Sequence, residues 1–142
     1  IEFPRASIDG APYDFSFSGL KSAVLNHINH AHMMGEEINV PDLMASFQYA
    51  VVDVLTSHAV EAAKNLGYDK VAIAGGVASN SALRAEMKEA CEKAGLKFYY
   101  PSPIFCTDNA AMIGVAGYYE YINGTRSGLD LNAVPNLKLG ER

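Results

Sequence analysis

The order of apolar segments between residues 71 and 122 constrains the fold more strongly than any other feature of this sequence. A short apolar run at 71–74 is followed by a helical pattern that ends at Gly95. A second apolar run at 96–100 is followed by another helical pattern that ends at Gly124. This alternation predicts a right-handed βαβ crossover with two parallel strands. We therefore predict a helix-rich α/β fold with a short parallel βαβ core, in which the first strand is buried on both faces.

Two further helices are predicted before this crossover. The first is capped by Ser16 or Ser18 and ends near Gly35. The second has Pro41 in its first turn and ends at Gly67, because proline is tolerated in a first turn and glycine commonly follows a last turn. An apolar stripe predicts that this second helix is buried mostly on one side. The stripe comprises Leu43, Phe47, Val51, Leu55, Ala59, Ala62 and Leu66.

The size and charge of the chain limit the classes of function. Its 142 residues fit one domain with a sizeable core. With 11 basic and 16 acidic residues the net charge is −5, so contact with RNA would require other parts of a protein. Cys91 and Cys106 lack the spacing of a redox or zinc motif. No apolar run approaches the roughly 20 residues of a membrane span. These features predict a cytoplasmic protein without a membrane partner, and a sequence that begins at Ile1 predicts a piece of a longer protein.

Two short strings place small and polar residues where a strand or loop turns into a helix. They are AGGVASN at 74–80 and FCTDNAAM at 105–112. The crossover brings both to one edge of the sheet, so Asn80 and Asp108 are predicted to share a ligand site. Gly75 and Gly76 leave room against the backbone, and the amides that open the third helix favour a negatively charged group such as a nucleotide phosphate. The alternative is that the glycines only form a turn and Asn80 only caps the helix.

Asp108 also has two interpretations. Thr107 or Asp108 is predicted to cap the fourth helix, but Asn109 is a third capping side chain, and three exceed what capping needs. A carboxylate at the ligand edge of a sheet is also a hard oxygen donor for a metal ion. One carboxylate cannot hold such an ion alone, so further ligands must come from elsewhere.

Other side chains with metal-binding or nucleophilic chemistry are interpreted as structural. The histidines of the first helix lack the i, i+4 spacing of a helical zinc pair and are predicted to be ordinary surface residues. They are His27, His30 and His32. The sequence places no base beside Cys106, which is predicted to be a small buried thiol, and His58 is likewise predicted to be structural.

Four strings occur together in this chain: DFSFSGLK at 14–21, AGGVASN at 74–80, FCTDNAAM at 105–112 and LNAVPNL at 131–137. In this order they resemble the TsaD family of tRNA adenosine threonylcarbamoyltransferases. The resemblance covers essentially the whole chain but only the C-terminal part of the family. It implies that residues 1–142 form a single C-terminal lobe, and the sequence pattern predicts an irregular tail at 125–142. By this resemblance, the lobe would be the truncated second lobe of the actin-like ATPase fold (ASKHA, ribonuclease H-like).

The resemblance implies that the full-length protein transfers threonylcarbamoyl from threonylcarbamoyl-AMP to the tRNA adenosine beside the anticodon. Asn80 would contact the adenine nucleotide or adenylate, and Gly75 and Gly76 would lie on its adenosine side. Asp108 would be one ligand of an iron (Fe2+) or zinc (Zn2+) ion. The other two ligands belong to a His-x-x-x-His motif of the first lobe, so this chain alone is expected to be inactive.

The resemblance further implies tRNA and TsaB-like and TsaE-like helper proteins as partners of the full-length protein. No residue of this chain is assigned a catalytic role, and the chemistry of Lys21 in the first string specifies none.

Two other classes of function stay open. The same fold serves sugar and acetate kinases and O-carbamoyltransferases, whose nucleotide-binding lobes carry similar Gly-Gly loops. The CTDN string at 106–109 argues against the kinases. Alternatively, the isolated lobe is a non-catalytic assembly module that self-associates through apolar surface. A peptidase lacks support, because the sequence contains no His-Glu-x-x-His motif.

Overall fold

The computed structural model describes residues 1–5 and 7–138, and the chain divides into two units. Unit 1 spans Ile1–Thr107 and unit 2 spans Asp108–Arg142. Unit 1 contains, in chain order, α1 (Ser18–Met34), α2 (Val40–Asn65), β1 (Lys70–Ala72), α3 (Ser81–Ala94) and β2 (Lys97–Tyr99). Short 3-10 turns occupy Gly76–Ser79 and Pro103–Phe105. Unit 2 contains α4 (Ala110–Ile122) followed by irregular chain, and the last four residues of the predicted tail, 139–142, lie outside the described residues.

The two strands form the predicted βαβ core. They pair in parallel, with Val71 opposite Phe98, and α3 is the connection between them. The prediction that the first strand is buried on both faces is wrong. Val71 is buried against the helices, whereas Lys70 and Ala72, whose side chains alternate with it, are exposed. Within the described chain β1 is therefore buried on one face, where Val71 packs against α2 and α3.

The largest buried cluster lies between α2, α3 and the sheet. Met87 and Cys91 of α3 are almost completely buried there. The cluster comprises Val52, Ala63, Val71, Leu83, Met87 and Cys91. A second buried cluster joins the N-terminal segment to α1 and α2, and it comprises Phe3, Leu20, Leu43 and Ala50. The two clusters together hold unit 1 around α2.

Burial of α2 differs from the predicted single stripe. Val52, Val54 and Thr56 are buried, while Leu66 of the stripe lies beyond the helix end and is 62% exposed. Side chains two positions apart point about 200° apart around a helix of 3.6 residues per turn, so buried residues at this spacing occupy opposite sides. The prediction of one-sided burial is wrong because α2 contributes to both buried clusters.

Most helix termini follow local signals. Gly35 and Gly95 end α1 and α3 in the left-handed conformation, as predicted. Asn39 caps α2 by accepting a hydrogen bond from the Asp42 backbone N–H. The predicted serine caps of α1 are wrong, because Phe17 occupies the N-cap position and no side chain caps that helix.

Cys106 and the histidines of α1, which were predicted to be structural, lie in ordinary packing environments. Cys106 is buried, as predicted, and burial raises the pKa of the Cys91 thiol. His30 and His32 are exposed, whereas His27 is half-buried with its ring edge-on to Phe3. None of the helices in residues 1–5 and 7–138 is both long and apolar enough to cross a membrane.

Candidate functional site

The segment at 74–80, called the Gly-Gly loop below, follows β1. Its two glycines, Gly75 and Gly76, occur there for different structural reasons. Gly75 has φ +82° and ψ 177°, a conformation almost restricted to glycine, so the backbone itself requires this residue. Gly76 is not among the residues of positive φ, and a Cβ added to it would meet nothing within 4 Å in the described residues. Neither backbone strain nor packing within the described chain therefore explains Gly76. The open space in front of this residue can admit a ligand, although most glycines of the described chain have similar open space.

Asn80 caps α3, as its alternative interpretation predicted. Its Oδ1 atom accepts a hydrogen bond from the Leu83 backbone N–H at 2.9 Å. Its Nδ2 group donates to Oε1 of Gln48 in α2 at 3.0 Å. The two bonds fix the side-chain amide between the loop and α2. A role in nucleotide binding stays a prediction, and it is compatible with the cap because the half-buried Nδ2 group has a second hydrogen to donate.

A cavity of about 360 Å³ lies beside this amide pair, between α2 and the segment that carries the loop and the start of α3. Its wall is apolar except at Gln48 and Asn80. The lining residues are Met44, Ala45, Phe47, Gln48, Val51, Val52, Leu55, Val77, Asn80 and Leu83. This volume is within the usual range for small-ligand sites, and an apolar wall with two amides suits a flat group that has a hydrogen-bonding edge.

Sequence reasoning missed Gln48 and Arg84 as site residues. Gln48 meets Asn80 across 32 positions of the chain, and no local motif marks it. Arg84 lies on α3 and donates hydrogen bonds to the backbone carbonyls of Ala78 and Pro101. The only available signal for Arg84 was a basic residue close to the start of a helix, where the helix dipole disfavours positive charge.

Asp108 is the first residue of unit 2, and it does not cap α4. The N-cap is Asn109, whose Oδ1 accepts from the Met112 backbone N–H at 2.9 Å, so the predicted cap by Thr107 or Asp108 is wrong. The extended backbone of Asn109, at φ −152° and ψ 153°, marks it as the residue that precedes the first helical turn. Within the described residues the exposed Asp108 carboxylate has no hydrogen bond or ion pair. Its oxygens are free for a ligand.

A carboxylate of this kind fits one position of an iron or zinc coordination shell. Among the described residues there is no group of three His, Cys, Asp or Glu side chains that could hold a metal ion. Asn80 belongs to unit 1 and Asp108 to unit 2. The shared ligand site therefore stays a prediction.

Comparison with known proteins agrees with the family that the sequence resembles. The model of a family described as TsaD, tRNA N6-adenosine threonylcarbamoyltransferase, matches residues 1–115. The chain is 58% identical over 142 residues to a tRNA N6-adenosine threonylcarbamoyltransferase of Clostridium botulinum strain Hall, and 58% identical to one of Clostridium perfringens. Each match covers 100% of this chain and 42% of the relative. The chain thus spans less than half the length of these relatives.

Proposed function

We propose a function on one premise: this chain belongs to the TsaD family, the tRNA N6-adenosine threonylcarbamoyltransferases. The full-length protein is an acyltransferase that moves threonylcarbamoyl from threonylcarbamoyl-AMP to the tRNA adenosine beside the anticodon. This chain supplies the C-terminal lobe of its actin-like fold. The observation that carries the proposal is the family match over residues 1–115, together with identity of 58% across the whole chain.

The Gly-Gly loop is proposed to bind the adenosine side of the adenylate. Gly76 leaves its Cα open to a ligand, and Gly75 supplies the turn that exposes it. Asn80 donates a hydrogen bond through its amide, which Gln48 holds in a fixed orientation. Fixing the donor before the ligand arrives lowers the conformational entropy lost on binding.

Asp108 is proposed to hold the iron or zinc ion with ligands from the part of the protein outside this chain. The bound metal ion would supply stabilisation of negative charge on the oxygens of the adenylate. Asp108 itself contributes an anionic oxygen that no residue of the described chain occupies. The isolated chain, with this single proposed ligand, is proposed to be inactive in transfer.

The full-length protein is proposed to act in the cytoplasm. Its proposed partners are tRNA and the TsaB-like and TsaE-like helper proteins. An acidic chain with net charge −5 leaves most of the tRNA contact to other surfaces of the assembly.

Asn80→Asp in the full-length protein distinguishes the role of Asn80 as a helix cap from its proposed role in nucleotide binding. Aspartate caps helices as well as asparagine, and a turned Gln48 amide can donate to the new carboxylate, so the free energy of unfolding should change by less than about 1 kcal/mol. Aspartate cannot donate at this atom and adds negative charge beside a phosphate-bearing ligand, so the dissociation constant for ATP should rise at least about 10-fold. Isothermal titration calorimetry measures the affinity, and thermal unfolding measures the stability.

The matched control is Asn39→Asp, the same substitution at the cap of α2. It should leave both the ATP affinity and the unfolding temperature at the parent values. Equal ATP affinity in Asn80→Asp and the parent protein would refute the nucleotide role of Asn80.

A second candidate, an assembly role for the isolated chain, is favoured by α4. None of the residues of this helix is buried, and Glu120 is its one charged residue. Monomeric proteins rarely expose apolar surface of this extent. The large apolar side chains of α4 that are exposed are Met112, Ile113, Val115, Tyr118, Tyr119, Tyr121 and Ile122. We propose that a second copy of the chain covers this helix when the rest of the protein is absent.

Light scattering of the isolated chain should therefore give a mass above the 15.3 kDa of a monomer. Tyr118→Ser, at a site 61% exposed on α4, should shift the population toward monomer because it removes apolar contact area. Tyr68→Ser is the control in unit 1, where the side chain is 65% exposed. A monomeric parent chain would exclude this role.

A further inference from the structure

The Arg84 side chain links two loops that the sequence separates by more than 20 residues. Its Nε group donates to the backbone carbonyl of Ala78, inside the Gly-Gly loop region. Its Nη2 group donates to the carbonyl of Pro101 at 2.9 Å and to the Cys106 sulfur at 3.2 Å. The guanidinium also lies over the Tyr100 ring, 4.7 Å from its centroid. One partly buried side chain thus contacts both strings from which the ligand site was predicted.

The chemistry of these contacts distinguishes Arg84 from an arginine held by an ion pair. None of the three hydrogen-bond acceptors is a carboxylate, and none of the ion pairs among the described residues includes Arg84. Arg84 is the fourth residue of α3, where the helix dipole disfavours positive charge. The contacts therefore do not neutralise a carboxylate. They hold backbone segments in place through a planar, forked donor.

Each segment that Arg84 holds leads directly to a predicted site residue. Ala78 is two residues before Asn80, and its side chain is 1% exposed. Cys106 is two residues before Asp108 and is 2% exposed, so the segment is anchored at that point. The Cys106 sulfur also lies 3.6 Å from the Ser102 carbonyl.

We propose that Arg84 is a positioning residue, which fixes the Gly-Gly loop against the 101–106 segment so that Asn80 is held ready for the nucleotide. The inference rests on the proposed function for the identity of the ligand, and on the Arg84 contacts for the mechanism. Lysine is not equivalent to arginine at this place, because its ammonium group lacks the rigid planar fork through which two separate nitrogens, Nε and Nη2, donate to the Ala78 and Pro101 carbonyls.

Arg84→Lys in the full-length protein tests this positioning role by the reactivity of Cys106. The rate of iodoacetamide labelling at Cys106, measured by mass spectrometry of its peptide, should rise about 10-fold or more, because charge-assisted hydrogen bonds that restrain the segment are lost. Cys91 reports on global opening in the same sample, since it is fully buried in the core of unit 1. Its labelling rate should stay within about twofold of the parent value.

The second readout is the dissociation constant for ATP, measured at a temperature where circular dichroism shows the variant to be fully folded. Destabilisation alone does not change the affinity of molecules that are all folded, whereas misplacement of the loop should raise the dissociation constant about 10-fold. Arg126→Lys is the matched control. Arg126 also lies over a tyrosine ring and donates to a backbone carbonyl, but it is exposed in unit 2. It should change neither readout.

The outcomes separate the inference from the proposed function. A Cys106 rate equal to that of the parent, or Cys91 and Cys106 rates that rise by the same factor, would overturn the positioning role. Faster Cys106 labelling with unchanged ATP affinity would also overturn it, because the loop would then bind ligand without Arg84. Failure of the parent protein to bind ATP would refute the nucleotide function, and the two labelling rates would still decide whether Arg84 holds the segment.

Discussion

Asp108→Asn in the full-length protein is expected to lower both the affinity for the proposed iron or zinc ion and the rate of the proposed threonylcarbamoyl transfer by at least about 100-fold. Residues that only support metal ligands already contribute about 10- to 100-fold to affinity or activity, and a direct ligand should contribute more. Asparagine has nearly the same shape but replaces an anionic oxygen by a neutral amide. Because Asp108 has no hydrogen bond or ion pair in the described chain, its loss should leave folding unchanged.

Elemental analysis of the purified protein measures the metal content, and thermal unfolding of the metal-free protein measures stability. The control is Asp69→Asn, which removes an exposed carboxylate that lies 3.6 Å from the Lys97 ammonium group. Surface ion pairs contribute at most about 1 kcal/mol, so this variant should retain metal and activity. Full metal content in Asp108→Asn would show that this carboxylate is not a ligand, whatever happens to activity.

Met87→Ala is expected to destabilise unit 1 by about 2–5 kcal/mol, the usual range for truncation of a large apolar side chain in a core. Met87 is 2% exposed and packs in the cluster that joins α2, α3 and β1. Its removal leaves a cavity that the surrounding helices can fill only by moving. A domain is stable by about 5–15 kcal/mol in total, so this loss is a large share.

Urea unfolding of the full-length protein, followed by circular dichroism, measures the shift in the midpoint of the transition that includes unit 1. Met33→Ala is the matched control, because Met33 is 87% exposed on α1 and its truncation should change stability by less than about 0.5 kcal/mol. Equal midpoints for the two variants would show that the α2–α3 cluster does not determine the stability of unit 1.

Most element boundaries were predictable because their signals are local. Gly35 and Gly95 end helices through their own backbone conformations, and Asn80 caps α3 with an oxygen that reaches only three residues ahead. The parallel pairing of the strands also followed, since a single helix between two short apolar runs leaves a crossover as the compact arrangement.

Burial was predicted less well, because it depends on which elements pack on which face. An apolar run such as 71–74 has the same pattern whether helices cover one face of the strand or both. Only Val71 of β1 is buried. The sequence of α2 showed one apolar stripe, but the helix contributes residues to two separate buried clusters. Small residues such as Ala50, outside that stripe, are buried in the second cluster.

The N-cap residue of α4 could not be predicted for a different reason. Thr107, Asp108 and Asn109 are all good caps, and propensity cannot choose among neighbours. The backbone conformation at Asn109 makes that choice, and it leaves the Asp108 carboxylate without a structural role in the described chain. This outcome removes the helix-cap interpretation of Asp108, and its ligand role stays a prediction.

Local chemistry was thus sufficient to locate the helices, the parallel crossover and the four strings that resemble the TsaD family. It could not identify the neighbours of those strings, because Gln48 reaches Asn80 across 32 residues and Arg84 reaches Cys106 across 22. A hydrogen bond between distant segments depends on how helices pack, and no local pattern records that packing. The loop residues could therefore be predicted from their order along the chain. The side chains that hold them in place could be identified only from the packing of α2, α3 and the 101–106 segment.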